Sequence, residues 1–348
     1  TTDEGFPNSG FCVAGDMTLL NTNTKYLKLQ QSELNVQGNL YMSNSILLIS
    51  NSTTLKTLNV YGGLNIQSGI LYISFGSGNI GALNIYGNLE CSGGAIYMNY
   101  STSQSGVLTV YKNFSMSGGS IYGTSDSYSS SSLIFAGTGN QTFLRTSGDI
   151  VNNVDITVNC GSILDAGTSV IVSAGKFNLS SGAGLITANP DGIAKTGNTG
   201  TVQTTGTRTF STEANYTYNG TAAQTTGNGL PSSVNELTID NESGVTLTSS
   251  VTANGLLNLK NGAFKIEGKS LAINGSVNAT SGKLSSNAST SITVGGSGNA
   301  GTLVFSQDNA NLNNFTMNQS QAGQVSFSQN VIISGTLTLT NGKIDMGG

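Results

Sequence analysis

Residues 34 to 136 repeat themselves. Leu34, Leu58, Leu83, Leu108 and Leu133 open successive copies at spacings of 24, 25, 25 and 25, reading LNVQGNLYMSNSILLIS, LNVYGGLNIQSGILYIS, LNIYGNLECSGGAIYMN, LTVYKNFSMSGGSIYGT and LIFAG. Within a copy the apolar residues alternate, as Leu83 and Ile85, Leu89 and Cys91, Ile96 and Met98, which is the period of a strand with one buried face. Each copy therefore predicts three short strands. Gly87 and the pair Gly93–Gly94 sit between them, where a tight corner calls for positive φ or a bulge. Short strands recurring at a fixed spacing of this size signal a solenoid, whose turns bury their apolar faces on their neighbours. The expected fold is all-β, a right-handed parallel β-helix with coils of about 25 residues, right-handed by the crossover rule.

A solenoid core grows lengthwise, so 348 residues are compatible with one elongated body. Only 9% of the residues are charged and the net charge is −4, which removes the basic surface that nucleic acid requires. The 36% of hydrophobic residues, placed in alternation, can build a core that a disordered chain of similar polarity cannot. No run approaches the roughly 18 apolar residues of a membrane helix, so no membrane insertion is expected. The chain starts at Thr1 with neither Met nor an apolar leader, the pattern expected of a secreted or cell-surface protein whose leader has been removed.

Cys12, Cys91 and Cys160 are too few and too scattered for a disulfide framework or a zinc site. Cys91 occupies the slot of Met42, Ile66 and Met116 and is expected in the core. Cys160, ending the run Val154, Ile156, Val158, is expected there too. Residues 1–33, which include Cys12, carry no copy of the repeat, and two readings stay open for them: a cap on the solenoid end, or an arm that pairs with another subunit by strand addition.

Residues 34–348 are read as one β-helix. After Leu133 the first period loosens and a signature Gly-x-apolar-x-Leu-x-Ser/Asn-Gly appears as GKFNLSSG at 175, GLLNLKNG at 255 and GTLTLTNG at 335, two equal steps of eighty. Val245, Leu247 and Val251 recur in the same way as Val325, Phe327 and Val331. A step of eighty predicts three coils. Residues 187–232 interrupt the pattern, are poor in large aliphatics and hold Pro190 and Pro231; wide coils with loops and a small β excursion both fit.

The stretch RTFSTEANYTYNGTAAQTTGNGLPSSVNELTIDNESGVTLTSSVTANGLLNLKNGAF, residues 208–264, resembles the repeat units of large secreted and cell-surface proteins of Bacteroidetes-type bacteria, β-helical adhesins or stalks, many of them exported by the type IX route. The resemblance extends in style over residues 160–348. It implies a bacterial surface location and a structural or adhesive role; the C-terminal sorting domain of that route has no counterpart here.

The chain holds no histidine, which removes Ser/His, Cys/His and His–metal chemistry. A polysaccharide lyase or hydrolase would need close carboxylates with a cation. The best groupings are Asp149, Asp155 and Asp165 near Arg145, and Glu236, Asp240 and Glu242, and both read as solvated loop carboxylates. No catalytic residue, cofactor or metal is assigned. Tyr61, Tyr86 and Tyr111 recur at 25 and 25, and so do Tyr72, Tyr97 and Tyr122. Stacking at about 4.8 Å per coil turns each trio into a ladder, a stiffening device or a contact stripe. Thr336, Thr338 and Thr340 form a row of the kind ice-binding faces use, but the equivalent slots of earlier coils hold Asn, Ser, Glu or Lys. The sequence thus predicts a structural, non-enzymatic rod outside the cell. Its ending, SGTLTLTNGKIDMGG, still follows the pattern, which fits either a piece of a longer protein or an open end that stacks head-to-tail on another copy into a filament, and the second is the expectation favoured here. A glycan-binding adhesin module and a polysaccharide lyase or hydrolase are the alternatives.

Overall fold

The computed structural model describes residues 4–6, 11–21, 25–320 and 323–345. They contain only strands and turns, paired in parallel sheets stacked as a β-solenoid of about 14 turns with about 23 residues per turn. Two compact units are distinguished: Thr1–Asp165 with Ser169–Asn178 and Thr204–Thr209, and Ala166–Thr168 with Leu179–Gln203 and Phe210–Gly348. No helix among the described residues is long and apolar enough to cross a membrane.

In the first unit each turn contributes to three faces. Leu34, Leu58, Leu83, Leu108 and Leu133 are direct register partners along the first face, and all five are fully buried. On the second face Leu40, Leu64, Leu89, Phe114 and Phe143 form an equivalent column. On the third, Leu47 is followed by Leu71, Ile96, Ile121 and Ile150. Every such column runs along the core, where each large apolar side chain contributes about 1.5–3 kcal/mol by leaving water. Cys91 sits between Ile66 and Met116 as predicted.

The corner glycines have two distinct reasons to be glycine. Gly94 has φ +71°, the left-handed region that a side chain strains. Gly87 does not; a Cβ there would lie 2.5 Å from the carbonyl of Gly62 one turn before, so close approach of successive turns excludes it. In the following turn the same slot is taken by Lys112, so the constraint belongs to the stretch where glycine meets glycine. Gly87→Ala should destabilise the fold by about 1–3 kcal/mol through a forced backbone shift, read as a lowered denaturation midpoint with an unchanged slope.

The sheets begin upstream of the first legible repeat. Cys12–Val13 pairs with Glu33–Val36, Met17–Leu20 with Leu40–Ser43, and Tyr26–Lys28 with Ser45–Ser50. These three strands therefore add one more rung to each of the three faces, and the expected boundary at residue 33 does not interrupt any ladder. The step from Met17 to its partner Leu40 is longer than the step from Tyr26 to Ile46, and these unequal offsets hide the period. Phe6 and Phe11 stack with centroids 5.5 Å apart, and the first inward residues, Phe6, Met17 and Leu19, are nearly buried. Residues 1–3, 7–10 and 22–24 of the expected cap lie outside the described residues.

In the second unit the turns shorten. Gly184 pairs with Asn215 across a long step, but Asn215 pairs with Glu236, Leu237 with Leu257 and Leu257 with Val277, all much closer in sequence. The irregular section is thus one wide turn followed by most of a shorter one. It is packed: Ile193, Ala194 and Val202 are buried, and Gly229 N donates to Ile193 O while Thr225 N donates to Pro190 O, both at 2.8 Å. Shorter turns also change the meaning of the eighty-residue spacing. Leu257 stands in register with Leu237 and Val277, whereas Leu337 stands with Phe315, Ile292, Leu271 and Val251 on another face. Four turns separate Thr252 from Thr338. A step of eighty falls just short of those four turns, so the expectation of three coils is corrected.

Candidate functional site

The two tyrosine ladders are present as predicted. Tyr61, Tyr86 and Tyr111 follow the last residue of each first-face strand; their amides donate to Val36, Val60 and Ile85 carbonyls at 2.9 Å, which carries each ring directly over the previous one. Ring centroids are 4.8 Å and 4.6 Å apart with interplanar angles of 7° and 9°. Beside them on the same face runs an amide ladder: Asn59 donates to Asn35 at 2.9 Å and Asn84 to Asn59 at 2.8 Å. Removing the central ring, Tyr86→Ala, takes away two stacked contacts of about 0.5–1.5 kcal/mol each. The expected loss of about 1–3 kcal/mol is checked by chemical denaturation.

The second ladder lies on the third face. Tyr72, Tyr97 and Tyr122 are register partners, with centroids 5.2 Å and 4.6 Å apart. It is wider than the sequence reading had it, because Phe75 and Tyr100 stack on each other at 5.0 Å and Tyr100 meets Tyr72 and Tyr97 edge-on. Tyr26 adds a tilted contact at 6.1 Å to Tyr72. The signal was available, since Phe75 and Tyr100 recur at the same spacing as the ladder tyrosines. Burial, and then the neighbouring phenols of Tyr26, Tyr100 and Tyr97, push Tyr72 up to about 12. A free tyrosine titrates near 10, so the contribution of its neutral phenol to stability is complete below pH 10 and is lost as pH rises towards 12. An alkaline absorbance titration should show a late phenolate step that coincides with loss of β structure and moves to lower pH in Tyr100→Ala.

Two open grooves flank the ladders. One, about 460 Å³, runs along the corner between the first and second faces, over Gly62, Gly63 and Gly87 and beside Tyr41, Asn65 and Glu90. The other, about 330 Å³, lies between Tyr97, Tyr100 and Tyr122 and the loop Thr124–Asp126. That loop is tied by Asp126, whose carboxylate accepts from Thr124 Oγ1, Tyr128 N and Ser129 Oγ at 2.7–3.1 Å. No family model, curated protein or solved structure matches this chain.

The carboxylate groupings are spread out. Asp149 pairs with Ser120, Asp155 with Ser132 and Asp165 with Thr142, each on a different strand. Arg145 reaches Asp149 at 3.7 Å, and Asp155 accepts from the Lys176 amide at 2.7 Å. Asp240 meets Lys260 at 3.8 Å. Among the described residues no three His, Cys, Asp or Glu side chains are placed to hold a metal ion. Cys160 is exposed, contrary to expectation, because its strand ends at Val158 and the alternation stops before it. Cys12 is exposed as well, and burial pushes the Cys91 thiol up.

Thr338 has different neighbours from those its sequence slot predicted. Its column is Thr316, Thr293, Ala272 and Thr252. In the column beside it, Ser270, Ser291 and Asn314 precede Thr336. The paired-threonine row is confined to the last turn. Sequence reasoning also missed Lys56, a buried cation whose Nζ donates to Leu29 O at 2.6 Å and Gln30 O at 3.2 Å. Burial, and then Lys28, push its pKa down. It ties the third face to the first.

Proposed function

We propose that the protein is an extracellular structural β-solenoid that assembles head-to-tail into a surface filament. The observation that carries this reading is the last described turn. Ile332, Leu337 and Leu339 are 64%, 49% and 63% exposed, whereas the register partners of the two leucines, Phe315 and Met317, are fully buried. These side chains, on a strand paired on one side only among the described residues, offer what one solenoid turn offers the next. A contact between unlike ends does not close on itself and so propagates. The resemblance of residues 208–264 to bacterial surface repeats supports the location, and the scattered carboxylates support a structural role over a catalytic one.

Electron microscopy and sedimentation over a concentration series test the assembly. Concentration-dependent filaments are expected, and a chain that stays monomeric at high concentration overturns the reading. The stacked Phe6–Phe11 pair adds a second prediction. If residues 1–11 are a cap, deleting them should let filament growth start at lower protein concentration. If those residues are instead a pairing arm, growth stops.

A further inference from the structure

We propose that the groove along the glycine corner of the first unit binds a neutral oligosaccharide. Its wall is a register column: Tyr41, Asn65 and Glu90 point outward from Leu40–Ser43, Leu64–Ile66 and Leu89–Cys91 and are direct partners across the turns. Gly62, Gly63 and Gly87 leave peptide backbone along its floor, flanked by the amides Asn39 and Asn88. Lys112, one turn further on, closes the lining. With turns about 4.8 Å apart, the groove spans four successive turns at about 460 Å³, inside the size range of small-ligand sites.

The polar groups are set for a polyol. Asn65 Nδ2 donates to Glu90 Oε2 at 3.0 Å, which orients the carboxylate and leaves Oε1 without a hydrogen-bond partner among the described residues. Asn65 Oδ1 is enclosed and unpartnered. Lys112 Nζ likewise makes no hydrogen bond or ion pair among the described residues. Tyr41 is 39% exposed, which leaves ring surface for the C–H face of a sugar. One carboxylate and one ammonium balance, so the groove selects neither anions nor cations, and its backbone floor is unsuited to an apolar guest. A neutral sugar matches this set: its hydroxyls both donate to Glu90 and accept from Lys112. This site is independent of end-on assembly, because all its residues lie on the side of the first unit's turns.

The test probes the intact chain against neutral hexose and N-acetylhexosamine oligosaccharides, with uronic-acid and sulfated oligosaccharides as charged competitors, followed by calorimetric titration of the strongest binder. Neutral oligosaccharides should bind, and Tyr41→Ala and Glu90→Gln should each weaken binding by about tenfold or more, with unchanged circular dichroism and thermal midpoint. Tyr128→Ala, on a different loop, should leave affinity unchanged and serves as the surface control. Absence of binding to every neutral oligosaccharide overturns the proposal. So does a preference for the charged ones, or binding that survives both groove substitutions.

Discussion

Replacing Leu337 and Leu339 together by lysine is expected to abolish the proposed filament growth and to leave the monomer folded. Both side chains already meet solvent in the isolated chain, so the exchange costs the fold no more than an ordinary surface change, within about 0.5 kcal/mol. In an end-on contact the same positions become interior. Two ammonium groups would then be buried without partners, at a cost of several kcal/mol each. Sedimentation at a concentration where the parent chain forms filaments distinguishes the outcomes. Filaments of normal yield from the double variant would show that the last turn is not the contact. Because the substituted residues lie far along the chain from Tyr41 and Glu90, the variant should keep its sugar affinity, which separates the two proposals.

The largest loss of stability is expected from Leu83→Ala. Leu83 is fully buried, with Leu58 and Leu108 directly before and after it. Truncation removes the transfer free energy of the side chain and leaves a cavity that neighbours held by parallel ladders cannot close, so about 2–5 kcal/mol is lost. A solenoid is held together by nearest-neighbour contacts, so a defect at one turn weakens coupling across it. The denaturation curve should therefore broaden or split, which the Tyr86→Ala variant on the outside of the same turns should not do. A loss below about 1 kcal/mol would mean that the leucine column is not the element that joins successive turns.

Much of the first unit was legible because its turns are of nearly equal length. When spacing is constant, register partners can be found by counting, and the leucine column, the Cys91 slot and both tyrosine ladders followed from counting alone. Counting fails where turn length varies. Met17–Leu20 and Tyr26–Lys28 continue the ladders, yet unequal offsets on two faces erase the period. In the second unit the turns range from the short step between Ser233 and Thr252 to the long one between Gly184 and Asn215. The eighty-residue signature therefore does not return to one face, as Leu257 and Leu337 show, because Gly-x-apolar-x-Leu describes any strand leaving a corner. Cys160 shows a smaller failure of the same kind: alternation says which residues face inward only while the strand continues. The grooves were not legible at all. They depend on side chains and corner residues brought together from successive turns, and no local pattern contains that.

The stacked phenols also make the chain its own optical probe. There is no tryptophan among the 348 residues, so near-ultraviolet absorption above that of phenylalanine comes from twelve tyrosines. Five of the six ladder rings have a neighbour within 5 Å. Transition dipoles held parallel at that distance couple, and the coupling gives circular dichroism and self-quenched emission that separated rings lack. Both signals vanish as soon as adjacent turns slip by one residue. Register in this molecule can therefore be followed without a label, in dilute solution and inside an assembled fibre alike.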